Sequence, residues 1–191
     1  MSVNIEEEIY LADYGMRRKK FVYDRRVHHS YIFVAGSNLY TVITGSLSQE
    51  ALFTRIGYKM PAGIPFPYNG MAEIYFDLYD GISVLTDFRH VRFAGLGSAV
   101  VLQSVSLAMM AHLDKLDIGG FVFQAAAGEV VDRGRQISLE EIYDYLLGLK
   151  NEPRYNRRTG LPKKTPRPLM PNGLHAYKIC TEGRASYVIL Q

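Results

Sequence analysis

The stretch Leu96 to Leu113 constrains this chain more than any other part of it. Its eighteen residues include no Asp, Glu, Lys or Arg, and the run is entered through Gly95-Leu-Gly97 and left towards Gly119-Gly120. The pattern predicts a helix from Ser98 to Leu113 that is apolar nearly all round, and such a helix must be buried. Gln103, His112 and three serines interrupt it. Those interruptions argue against a membrane span and for packing against a sheet.

Strand-like segments supply that sheet. Ser30 to Ala35 and Asn38 to Thr44 read as strands joined by Gly36-Ser37, with a short first strand at Ile9 to Ala12. Ser46 and Ser48 are N-cap candidates before a helix Gln49 to Ile56. Pro61, Gly63, Pro65 and Pro67 mark Met60 to Asn69 as a rigid loop. Ala72 to Leu78 and Ile82 to Phe88 form a strand pair around Asp80-Gly81. After the apolar helix come a strand at Gly120 to Ala125 and a capping box, Ser138-Leu-Glu-Glu, opening an amphipathic helix to Leu149. His175 to Thr181 and Ala185 to Leu190 close the chain as a hairpin around Glu182-Gly183. This order predicts an α/β (α+β) fold, a mixed and mainly antiparallel sheet with a buried central helix, in a single domain over 1–191.

Composition agrees with a packed globule: 191 residues, 48% hydrophobic and 21% charged, exclude a mostly disordered chain or a coiled coil. A single cysteine, Cys180, excludes an intramolecular disulfide and a cysteine-rich zinc site. The acidic opening Ser2 to Ile9 lacks the basic-then-apolar order of a signal peptide, so a cytoplasmic location away from membranes is expected.

The net charge of +3 conceals a strong polarity. Segments 16–28 and 152–167 together hold twelve of the 22 Lys and Arg but only two of the 19 Asp and Glu. Arg17, Arg18, Lys19, Lys20, Arg25 and Arg26 form the first group. Arg154, Arg157, Arg158, Lys163 and Lys164 lead the second, in a proline-rich loop. Two basic segments on an acidic body suggest an anionic partner such as nucleic acid, with Tyr14, Tyr23 and Tyr155 able to stack on bases. The plainer alternative is two solvated loops, since basic runs bind nucleic acid only when folding gathers them on one face.

A glycine-rich entry into a helix is an anion-binding device. The first backbone N–H groups of a helix lack internal partners, and the helix dipole favours negative charge there. Arg92, just upstream, can add a charge-assisted bond. The loop lacks the lysine of a P-loop and the third glycine of a dinucleotide fingerprint.

Arg92-Phe-Ala-Gly95-Leu-Gly97-Ser resembles the Arg/Gln-x-x-Gly-x-Gly/Ala signature of the GNAT acyltransferase superfamily. The likeness covers about residues 70–190, with 1–70 as a divergent part and 150–174 as an insertion. Ile82 to Phe88 is similar to that family's fourth strand, Leu96 to Leu113 to its central helix and Phe121 to Gln124 to its fifth strand. Arg89 stands where the family commonly has proline, and Phe93 where it has a second glycine. The resemblance implies an acyl-CoA-dependent transferase, with acetyl-CoA or another acyl-CoA held by Arg92, Phe93, Ala94, Gly95, Leu96, Gly97 and Ser98. It implies that the edge of strand 82–88 binds the pantetheine arm. It also implies a tyrosine acid, Tyr155 beside Gly160-Leu161, with Tyr145 or Tyr143 as alternatives. A base would take the amine proton. Asp87 at the strand end leads the candidates, with Glu73 and Asp77 on the neighbouring strand.

Other readings of these residues stay open. Gly95 and Gly97 also suit a tight strand-to-helix turn, and a tyrosine in an amphipathic helix also suits packing. His28 and His29 are adjacent and therefore point apart on a strand, so no metal is expected there. The expected function is transfer of an acyl group to an amine on an anionic or nucleic-acid-associated acceptor. The alternative is a non-catalytic GNAT-like protein that binds nucleic acid or another protein, of the kind a phage or mobile element encodes.

Overall fold

The computed structural model describes residues 5–57, 59–79, 96–124, 129–132, 135–149, 158–159, 173–181 and 184–191. The first basic segment, for which a solvated loop is the plainer alternative, forms a strand and the start of the next. β1 (Ile5–Leu11) and β2 (Met16–Tyr23) form an antiparallel pair. A single 3-10 turn, Ala12–Tyr14, links them. Three glutamates on β1 meet four cations on β2: Arg17 lies 3.6 Å from Glu8, Arg18 2.9 Å from Glu7, Lys19 3.7 Å from Glu8 and Lys20 3.4 Å from Glu6. Opposite charges across neighbouring strands favour this pairing. β2 turns into β3 (Arg26–Ala35) through Asp24 and Arg25, both in the left-handed region at φ 48° and 60°. Two left-handed residues make a tight hairpin turn, here built without the usual glycine.

β3 pairs with β4 (Asn38–Leu47) across Gly36-Ser37, and β4 with β5 (Met71–Leu78), all antiparallel. Between β4 and β5 lies α1 (Gln49–Ile56), whose first turn is capped by Ser48 Oγ accepting from the Ala51 N–H at 3.2 Å. α2 (Leu96–Lys115) leads to β6 (Gly120–Gln124), which pairs parallel with β5. A small hairpin, β7 (Glu129–Asp132) and β8 (Arg135–Ser138), precedes α3 (Leu139–Leu146). β9 (His175–Thr181) and β10 (Arg184–Leu190) return antiparallel, and β10 inserts beside β6. The result is an α+β fold with one mixed eight-stranded sheet in the order β1-β2-β3-β4-β5-β6-β10-β9.

Strand alternation sorts the side chains onto two faces. On one face, Tyr31, Phe33, Val42, Ala72, Ile74, Phe121 and Ile189 pack against Val101, Ala108, Met109 and Ala111 of α2. The helix is buried along this side only, with Val100 and Leu107 exposed on the other, so the expectation of a helix enclosed all round gives way to a layer on a sheet. The apolar outer positions leave its sequence uniform, but the core it needs lies on one side. On the opposite face, Leu47, Met71, Val122 and Val188 pack on Leu52 of α1. α3 joins a third cluster in which Tyr143 and Tyr187 enclose Phe123. Among the described residues no helix is long and apolar enough to cross a membrane.

The first strand runs over Ile5–Leu11 where Ile9 to Ala12 is expected, β2 is not among the expected strands, and further differences lie later in the chain. The helix expected to Leu149 ends at Leu146, and the chain leaves it through Gly148 at φ 73°. The β7–β8 hairpin has no turn signal of the Asn-Gly kind and was not expected. The strand Ile82 to Phe88 and most of the 150–174 segment lie outside the described residues.

Candidate functional site

Of the residues that sequence reasoning selects, Asp87, Arg92, Phe93, Ala94, Gly95, Arg154, Tyr155, Arg157, Lys163 and Lys164 lie outside the described residues. Leu96, Gly97 and Ser98 form the first turn of α2, so Gly97 belongs to the helix and not to a loop before it. Tyr145 lies on α3. Its neighbour Tyr143 is buried, with burial pushing its hydroxyl pKa up, and its ring packs edge-on to Phe123. That ring is part of the core. Arg158 occupies an exposed turn. Arg17 to Lys20 do not share one surface. Arg18 and Lys20 face the α2 side, Arg17 and Lys19 the other, and all four are in ion pairs with β1.

The structure concentrates polar groups on the sheet face opposite α2. One row crosses four strands through Phe21, His28, Gly45 and Glu73. Arg26 reaches over it. Its Nε donates to the Ser46 carbonyl at 2.7 Å, and its terminal nitrogens donate to Glu73 Oε2 at 3.3 Å. Gly45 makes this crossing possible, because a Cβ there would stand 2.8 Å from His28 Cε1 and 2.9 Å from an Arg26 nitrogen. His28 stacks on Phe21, with centroids 5.3 Å apart and planes 13° from parallel. Burial first and the Arg26 guanidinium second lower its pKa. The Tyr23 backbone offsets part of this. Neither His28 ring nitrogen has a hydrogen-bond partner of normal geometry. A buried imidazole left in that state is costly, and both nitrogens are closed to solvent.

Next to this row Ser30 and Thr41 share a 2.8 Å hydrogen bond and are fully buried. Asp77 is buried on the same face as Glu73, its Oδ1 accepting from the Leu78 N–H at 2.7 Å. Four residues of strand separate the two carboxylates, about 13 Å, so they cannot act as a pair on one atom. Glu73 is the better placed, since it lies in the register pair Glu73↔Val122 that joins β5 to β6.

That junction is unusual. β5 and β6 run parallel but share only two register pairs, Ala72↔Phe121 and Glu73↔Val122, while β5 continues to Leu78 and β6 to Gln124. The edge that sequence reasoning placed on 82–88 lies outside the described residues. Comparison with known proteins found no matching family model, no matching curated protein and no matching solved structure.

The sequence signals for this site were present but silent. Gly45 interrupts a β-branched run, which is a sign of close approach by another group. Arg26 and Glu73 are 47 residues apart, and nothing local links them.

Proposed function

We propose that the protein is an acyl-CoA-dependent N-acyltransferase of GNAT type, with its acceptor amine bound beside Glu73. The observation that supports this reading is the two-pair parallel contact between β5 and β6, bridged by a long helix whose first turn contains Gly97. The first backbone N–H groups of α2 would hold the pyrophosphate of such a donor. Bound acyl-CoA would supply an activated thioester carbonyl.

The chain's own groups then have defined tasks. Segment 82–88 would hold the arm in an extended form and donate to the carbonyl oxygen as negative charge develops there, as the resemblance implies. Glu73 would accept the proton that the attacking amine loses, its carboxylate oriented by Arg26. Tyr155 or Tyr145 would return a proton to the leaving thiolate. An anionic or nucleic-acid-associated acceptor remains the proposal for substrate class, from the charge asymmetry of the chain.

Calorimetric titration with acetyl-CoA tests this, with Gly97→Trp as control and circular dichroism to verify that the variant folds. Saturable binding that the control loses supports the reading. Absence of binding to acetyl-CoA and longer acyl-CoAs overturns it, and salt-sensitive binding of nucleic acid in that case favours the non-catalytic binder.

A further inference from the structure

A second cluster of titratable groups lies on the other face of the sheet, beneath the C-terminal end of α2. His112 of α2 and His29 of β3 meet edge to face, with ring centroids 5.3 Å apart. Both are buried, and both line a solvent-open cavity of about 240 Å³. Val27, Ser46, Ala72, Leu116, Asp117 and Ile118 also line it. A concave apolar site with a few convergent polar groups and perturbed titration is the usual form of a small-molecule site. His112 lies sixteen residues after Leu96, about 24 Å along the helix, so this cavity is remote from the start of α2.

The hydrogen bonds around His112 orient its ring. Tyr31 OH lies 2.8 Å and Thr44 Oγ1 3.2 Å from His112 Nδ1. Thr44 has the His29 carbonyl as a further acceptor at 3.5 Å, whereas His112 is the acceptor within reach of Tyr31. Tyr31 therefore donates to Nδ1, and the proton of the neutral ring sits on Nε2. That leaves an N–H donor for whatever enters the cavity.

Charge decides the ligand class. Burial and the Arg18 guanidinium hold His29 near a pKa of about 4, with Lys20 adding to the effect and Glu7 opposing it. Burial, His29 and Arg18 hold His112 near about 3. Both rings are thus neutral at physiological pH. Arg18 and Lys20 already have glutamate partners, and the Asp117 carboxylate, which accepts from Asn69 Nδ2 at 2.8 Å, disfavours an anion at the rim. Among the described residues no three metal-ligating side chains converge, which leaves a cation without a ligand set. The volume equals about eight waters at roughly 30 Å³ each, the size of one small ring.

We infer that this cavity binds a small uncharged heterocycle or amide, of single-ring size, presenting both a donor and an acceptor to His29 and His112. The inference is independent of the acyl-CoA reading, since the cavity lies at the far end of α2 from its first turn and on the sheet face opposite Glu73, and the two sites are tested with different probes.

The test is titration of the whole chain with 2-pyridone, cytosine and nicotinamide, followed by protein-observed NMR. Benzoate and zinc chloride are the charged comparisons. At least one uncharged probe is expected to bind saturably, with shifts at His29 and His112 and with affinity unchanged between pH 6 and 8. Val27→Trp, at an exposed rim position of the same cavity, is expected to weaken binding at least tenfold without unfolding the chain. His29→Phe should do the same if it folds. Failure of all three probes overturns the inference, as does binding that survives Val27→Trp. Tighter benzoate binding as pH falls would assign an anion site instead, and stoichiometric zinc binding a metal site.

Discussion

The backbone of Gly45 lies directly beneath the ring of His28, so close that a single methyl group would collide with Cε1 at 2.8 Å. Glycine at this position carries no positive φ, so its role is space and not backbone freedom. Gly45→Ala is expected to push His28 and Arg26 aside and break the Arg26–Glu73 contact. Overpacking of this kind costs about 1–3 kcal/mol. Urea unfolding measures it, and an unchanged midpoint would show that the row has slack.

The paired histidines predict an acid limb of stability. An unfolded histidine takes up a proton near pH 6.5, whereas His29 and His112 resist it down to about 4 and about 3. As pH falls through 6.5 the unfolded chain therefore binds protons that the folded chain refuses, so stability rises with pH across that window and the penalty is complete below the folded values. For His29 alone the shift corresponds to about 3 kcal/mol. Denaturant midpoints from pH 4 to 8 should show this slope, and His29→Gln should flatten it. An equally steep slope in that variant would move the effect to other groups.

Asp144 clamps α3 to the C-terminal hairpin. It accepts from Tyr187 OH at 2.8 Å and from Lys178 Nζ at 2.8 Å, and burial first and the bond to Asp144 second raise the Tyr187 pKa. Tyr187→Phe removes one of these bonds and keeps the packing against Phe123, at a cost of about 1 kcal/mol. Asp144→Asn also weakens the Lys178 contact and should cost more. Thermal melts of the two variants give the order, and a reversed order would mean that the hydroxyl dominates.

The ion pairs between β1 and β2 bear on nucleic-acid binding. If Arg17, Lys19 and Lys20 contact phosphates, replacing Glu6, Glu7 and Glu8 by glutamine should release them and tighten binding, with a steeper salt dependence. Fluorescence anisotropy with a labelled oligonucleotide at several salt concentrations reads both. Weak binding unaffected by the triple change would assign these cations to sheet pairing alone.

Much of the strand and helix order was legible in the sequence because its signals are local. Gly36-Ser37 placed the β3–β4 turn, Ser48 capped α1, and the glycines flanking the apolar run placed α2 nearly to its ends. The β2–β3 hairpin was missed because Asp24 and Arg25 adopt left-handed angles without a glycine to announce them. Arg17 to Lys20 were not legible as a strand because a run of cations hides the strand alternation.

The candidate sites were far less legible. His28 and His29 are neighbours in sequence, and their alternation onto opposite faces follows from strand geometry alone. Which partners each one meets depends on pairings that span the chain: Glu73 and Arg26 across β4 on one face, His112 and Tyr31 beneath α2 on the other. Local periodicity sets which face a side chain takes, because that depends on a few consecutive backbone angles. Sheet order, register and the seat of a helix depend on the joint packing of segments up to a hundred residues apart, and those contacts exist only after the chain has folded.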